Sequence, residues 1–103
     1  MLDHAQEIQQ FSASKSLEDL RDDRLLQLAL LRLLEIVGEA GTRIEPATRE
    51  QYPEIPWSQI IGLRNRLIHG YDAVDLVIIW NIVAADVPQL VSNLESILNQ
   101  HRS

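Results

Sequence analysis

The run Leu25-Leu26-Gln27-Leu28-Ala29-Leu30-Leu31-Arg32-Leu33-Leu34-Glu35-Ile36-Val37 decides the fold of this chain. Wound as a helix, its apolar residues cover nearly the whole circumference, and the strict alternation that would mark a half-buried strand is absent. A helix apolar all round in a chain of 103 residues has to be buried on both sides, by its own bundle and, where that runs out, by a partner. Arg32, Glu35, Glu39 and Arg43 interrupt the run, with Glu35 and Glu39 one helical turn apart on one face.

Toward the N-terminus, Leu2 to Phe11 reads as a short amphipathic turn or two anchored by Ile8 and Phe11. Ser12 to Ser16 is a polar break, and Ser16 followed by Asp19 is a helix-start signal. Downstream, Pro46, Pro53 and Pro56 punctuate the middle, so the second helix ends near Ile44 and a loop with one helical turn runs to Pro56. Trp57 opens a third helix with Ile60, Ile61, Leu63, Leu67 and Ile68 apolar and Gly70 as its terminator. A fourth begins near Asp75 and places Leu76, Ile79, Trp80, Val83, Val87, Leu90, Val91, Leu94, Ile97 and Leu98 at helical spacing. Pro88 removes one backbone donor inside it, which predicts a bend. The expected architecture is all-α: an antiparallel four-helix bundle, one domain spanning residues 1–103, with no strand.

Composition narrows the function classes. The absence of cysteine excludes disulfide frameworks, thiolate metal sites and cysteine nucleophiles. No stretch of membrane-spanning length is free of charge, and Met1-Leu2-Asp3-His4 lacks the basic-then-apolar order of a signal peptide, so a cytoplasmic, membrane-independent protein is expected. A formal charge of −6 means that the whole subunit attracts nucleic acid weakly, and any phosphate contact has to be local, where arginines cluster.

Such a cluster exists in Arg64-Asn65-Arg66-Leu67-Ile68-His69-Gly70-Tyr71. It combines a permanent cation, an amide, an imidazole that titrates near neutrality and a phenol, the groups needed to grip and cut a phosphodiester. At 100° per residue, Asn65 and His69 lie about 40° apart on a helix, whereas Arg64 and His69 are separated by about 140°. One continuous helix therefore does not set arginine beside histidine. Either the helix ends at His69, or a second copy of the chain supplies the missing neighbour. RNA transesterification needs one group to take the 2'-hydroxyl proton and another to protonate the departing 5'-oxygen, which two histidines across a twofold axis provide without a metal. Arg64 would then stabilise charge on the phosphoryl oxygens while Asn65 orients a histidine or the substrate.

The same residues have plainer uses. A histidine in the last turn of a helix is favoured by the helix dipole, arginines on helices are usually solvated, and a lone tyrosine is commonly a packing residue. His4 and His101 sit near the termini as surface residues. Glu35 and Glu39 could be metal ligands, but a pair one turn apart without a Glu-x-x-His motif is ordinarily a solvated or interface-lining pair, and no metal site is expected.

Leu34-Glu35-Ile36-Val37-Gly38-Glu39-Ala40, Pro53-Glu54-Ile55-Pro56-Trp57, Arg64 to Tyr71, Val74-Asp75-Leu76 with Trp80, and Asp86-Val87-Pro88-Gln89-Leu90 together resemble the HepT family of HEPN-domain ribonuclease toxins. The resemblance implies a homodimeric all-α toxin of a type VII toxin–antitoxin pair that cleaves RNA without metal at a composite dimer cleft. Its catalytic positions fall on Arg64, Asn65 and His69. The tyrosine that receives AMP falls on Tyr71, and Arg66 is placed to hold substrate phosphate. The implied partner is an MntA-like nucleotidyltransferase antitoxin, whose ATP and magnesium belong to its own active site, so the toxin needs no cofactor. Family members carry additional residues before the segment matching Leu2 to Phe11, so the first helix is expected to be shortened. The alternative expectation is a non-catalytic HEPN scaffold subunit for a nucleotidyltransferase, which would have no physical need for Arg64, Asn65 and His69 in one cleft.

Overall fold

A computed structural model describes residues 1–63 and 75–102 of the chain. In order, the elements are α1 (Leu2–Ser12), α2 (Leu17–Asp22), α3 (Arg24–Thr42), α4 (Pro46–Gln51), α5 (Trp57–Ile61), α6 (Leu76–Asn81), a π-helical turn (Ile82–Asp86) and α7 (Val87–Arg102). The fold is all-α, with no strand among the described residues.

The leucine-rich run forms α3, and its inward stripe is Leu26, Leu30, Leu33, Leu34 and Val37, all buried. Spacings of three and four carry that stripe down one side of the helix. It packs against Ala5 and Ile8 of α1, both 0% exposed, and against α5. Each fully buried leucine or isoleucine contributes about 1.5–3 kcal/mol relative to an exposed one. At one end of the molecule Gly41 lies beside Met1 and Ile60. Farther along, Gln6 of α1 donates to the Glu95 carboxylate at 3.4 Å, and beyond that Ser12 shares a groove with Trp80. Residue numbers rising on α1 thus meet falling numbers along the helical stretch Leu76–Arg102, so α1 runs antiparallel to it. A mostly apolar cleft of about 30 Å³, partly open to solvent, lies among Ala5, Ile8, Leu34, Ile60, Leu63 and Val87, with Gln59 and Asp86 also lining it.

Breaks in the chain follow local chemistry. Ser16 begins α2 through a capping box: its hydroxyl accepts from the Asp19 N–H at 3.2 Å, while its own N–H donates to the Asp19 carboxylate at 2.8 Å. What reads in sequence as one second helix is divided at Asp23, whose carboxylate accepts from the Leu26 N–H at 3.1 Å and starts α3 afresh. The Gln27 amide fixes this corner by donating to the Leu20 carbonyl at 2.9 Å. Aspartate favours a cap over a helix interior because its short side chain competes for backbone donors. Pro46 opens α4 in its first turn, where a missing N–H costs nothing. The loop after it is pinned twice, by the Trp57 indole donating to the Tyr52 carbonyl at 3.0 Å and by the Asn93 amide donating to the Glu54 carbonyl at 3.2 Å.

Several expectations are corrected. Phe11 is not an anchor: it is 48% exposed, because the inward stripe of α1 is Ala5 and Ile8 and the last turn lies at the edge of the core. Leu98 is 45% exposed, its inward place being taken by Ile97. The third helix is interrupted at Gly62, which caps α5. His4 is half-buried rather than a free surface residue. The irregularity expected near Pro88 takes the form of the π-helical turn Ile82–Asp86 just before it. A proline ring clashes with the carbonyl four residues back, here that of Ala84, and a wider turn relieves the clash. Leu76–Gln100 is long and apolar enough by length and composition to cross a membrane, yet Ile79, Ile82, Val83, Val87, Leu90 and Val91 are buried in the core.

Leu30→Ala, at a fully buried position, is expected to lower unfolding stability by about 2–5 kcal/mol in urea titration. A β-carbon at Gly41 would lie 2.9 Å from the Ile60 Cγ2, a buried branched atom with little room to yield. Gly41→Ala should therefore destabilise by about 1–3 kcal/mol of overpacking, offset by about 1 kcal/mol of helix propensity; a melt unchanged or raised would contradict this close approach.

Candidate functional site

Arg64, Asn65, Arg66, His69, Gly70 and Tyr71 lie outside the described residues, as do Leu67 and Ile68. What the structure defines is the frame on either side of them. The chain enters the segment from Leu63, which is 6% exposed and lines the apolar cleft beside Ala5 and Ile8. Just before it, Gly62 closes α5 in right-handed helical geometry, its N–H directed at the carbonyls of Ser58 and Ile60. The entry point is therefore fixed by burial.

The exit point is fixed by a cap. Asp75 takes extended geometry and its carboxylate accepts from the N–H groups of Val77 at 2.9 Å and Ile78 at 3.4 Å, satisfying donors that the first turn of α6 leaves without partners. This aspartate also complements the positive end of the helix dipole. One turn later Ile79 is 1% exposed, so the helix is locked to the core almost at once. The described residues that flank positions 64–74 are thus one buried, Leu63, and one a helix cap, Asp75.

Apolar side chains collect at the Asp75 end of the molecule. Val77 and Ile78 are 41% and 40% exposed, and α2 packs against α6, which brings the start of α3 to the same end. There Leu25 is 76% exposed and Leu28 is 46% exposed. These are the leucines that the all-round apolar helix could not bury within one chain.

The glutamates weighed as metal ligands are held by arginines of their own helix. Glu35 pairs with Arg32 at 3.4 Å and Glu39 with Arg43 at 2.9 Å. Partly exposed pairs of this kind contribute only about 0.3–0.5 kcal/mol each after screening. No group of three or more histidine, aspartate or glutamate side chains suited to a metal ion occurs among the described residues. A feature that spacing alone did not single out is a groove of about 270 Å³ lined by Gln9, Ser12, Trp80, Val83, Ala84 and Pro88. Pro88 inside a long helical pattern was its only signal, because the π turn that accompanies it sets the shape of this wall.

Comparison with known proteins places these observations in a family. Residues 1–97 match the family described as ribonuclease HepT-like. A Methanocaldococcus jannaschii protein that is named an RNase by inference is 35% identical over 95 residues, spanning 92% of this chain and 87% of its own. A Thermococcus cleftensis protein, named ribonuclease HepT on the same footing, is 37% identical over 90 residues, spanning 87% of this chain and 82% of its own. A third relative, from Caldanaerobacter subterraneus and also named an RNase by inference, is 37% identical over 87 residues, or 84% and 78% of the two chains. No solved structure matches.

The cap at the exit of the segment is open to test. Asp75→Ala should cost about 1 kcal/mol in urea unfolding, while Asp75→Asn should retain most of the stability because an amide oxygen still accepts the same bonds. Equal losses for both variants would show that the cap does not act through hydrogen bonding.

Proposed function

The chain belongs to the HepT-like ribonuclease family, and on that premise we propose that it is a metal-independent endoribonuclease toxin whose active site is completed by a second copy of itself. The observation that carries this reading is that the family match covers residues 1–97 and so includes Arg64, Asn65 and His69. The exposed apolar residues at the Asp75 end support the homodimer, since they supply a surface beside the segment that a twofold-related copy could cover.

The chemistry follows from the side chains. The 2'-hydroxyl oxygen of RNA attacks the adjacent phosphorus as one His69 takes its proton. The bond from phosphorus to the 5'-oxygen breaks, and the second copy's histidine delivers a proton to that leaving oxygen. Arg64 neutralises the charge that builds on the non-bridging oxygens, and Asn65 orients the imidazole or the substrate. Arg66 holds a neighbouring phosphate. The products are a 2',3'-cyclic phosphate and a free 5'-hydroxyl.

Regulation acts at the same place. A partner nucleotidyltransferase of the MntA type, drawing on ATP and magnesium in its own site, transfers AMP to Tyr71: the phenol oxygen gives up its proton and bonds to the α-phosphorus as the bond to the β-phosphate breaks and pyrophosphate leaves. The added phosphate brings negative charge where substrate phosphate must bind, Arg64 and Arg66 can hold it as a substrate mimic, and the nucleotide fills the opening. The other reading, a scaffold subunit without useful nuclease activity, is separated from this one by the variants below.

Arg64→Ala and His69→Ala should each abolish RNA cleavage and growth inhibition while circular dichroism and dimerisation are unchanged. Wild-type cleavage should persist in EDTA and leave cyclic-phosphate ends; activity lost on chelation and restored by a divalent ion would reject the mechanism. Tyr71→Phe should remain toxic when the nucleotidyltransferase is co-expressed, with no added AMP in the intact mass. If that variant is neutralised fully, sequestration rather than modification is the control. Leu25→Asp with Ile78→Asp should shift the dimer toward monomer in sedimentation and lower cleavage with it.

A further inference from the structure

The groove between α1 and the last helix has features that neither the fold nor the proposed chemistry uses. One wall is Trp80, Ala84 and Pro88, which succeed one another at intervals of four residues across the π turn, together with Val83. Trp80 is only partly buried against the core and so still borders the groove. The opposite wall is Gln9 and Ser12, three residues apart on α1. The Ser12 hydroxyl donates to the Gln9 carbonyl at 3.3 Å, which leaves its lone pairs open to accept. No hydrogen bond to the Gln9 side-chain amide occurs among the described residues. Although the chain carries a net charge of −6, no lining residue of this groove is charged.

A tryptophan, a glutamine and an uncharged lining suit a neutral planar heterocycle with paired donor and acceptor groups. A side-chain amide offers one donor and one acceptor in a plane, and glutamine matches the N6 and N7 edge of adenine with two such bonds. Bases splayed from single-stranded RNA are held by this combination of stacking and edge hydrogen bonds. The groove is also well placed, since Trp80 lies on the helix that Asp75 starts, less than two turns from where the segment carrying Arg64 and His69 rejoins the described fold. Within the ribonuclease reading, on which this rests, we infer that the groove is a base-recognition subsite in which Trp80 stacks on, and Gln9 reads, an unpaired adenine close to the scissile phosphate.

The test has a binding arm and a cleavage arm. In the His69→Ala protein carrying Trp57→Phe, Trp80 is the only indole, and its fluorescence should be quenched by a short oligoadenylate and much less by oligouridylate. Gln9→Ala should weaken the oligoadenylate response by about tenfold, within the range for a bidentate base contact. In the protein with His69 intact, mapped cuts in a mixed-sequence RNA should cluster beside adenines, and Gln9→Ala should erase that preference while cutting continues. Cleavage by both proteins with the same base preference, together with an unaltered fluorescence titration, would overturn the subsite. If no RNA is cut but quenching remains base-selective, the subsite stands and the nuclease reading fails. A Gln9→Ala protein that changes its dimer equilibrium instead of its base preference would make the groove a subunit contact and overturn the inference.

Discussion

The constraint behind most of this structure is that α3 carries more leucine than a chain of this size can cover. Its inner stripe is satisfied by α1, α2 and α5, and that demand explains why Ala5 and Ile8 are fully buried although α1 is only 11 residues long. Leu25 and Leu28 remain exposed, and they do so at the end where Val77 and Ile78 are exposed as well. Part of the surplus is therefore grouped at this end, while Phe11 and Leu98 are exposed elsewhere.

Around that core, the precision of the frame comes from short polar side chains at helix starts. Ser16, Asp23 and Asp75 each accept a backbone N–H, and each sets the point where a helix starts. Such caps stabilise by only about 1 kcal/mol apiece, yet they fix geometry that burial alone would leave free to slide. Asp75 and the buried Leu63 are the described residues that flank positions 64–74.

The helical class, the start of α2 at Ser16, the turn at Pro46 and the start of the last helix at Asp75 were legible because each rests on one local signal: a hydrophobic period, a capping box, a proline in a first turn, an aspartate before an apolar run. The division at Asp23 was hidden because the leucine period continues across it, and only the Gln27 contact to the Leu20 carbonyl shows why the corner is stable. The exposure of Phe11 and Leu98 was hidden for a related reason: a period identifies a face but not the last residue that the neighbouring helices reach. The family could be read from ordered motifs, and residues 1–97 match it. The arrangement of Arg64, Asn65, His69 and Tyr71 was never within reach of spacing, which by itself separates Arg64 from His69 on a helix.

The π turn at Ile82–Asp86 also has a meaning for how such chains lengthen and shorten. A turn closed by bonds to the fifth residue holds more chain than an α turn, so it behaves as an insertion absorbed inside a helix. Ile79 before it and Val87, Leu90 and Val91 after it all reach the core, which shows that the added length is taken up locally and does not rotate the rest of the helix outward. A homologue whose last helix is regular throughout should then align with this chain only across a one-residue gap placed at this turn. The groove wall formed by Val83 and Ala84 would be the part of the surface lost with it.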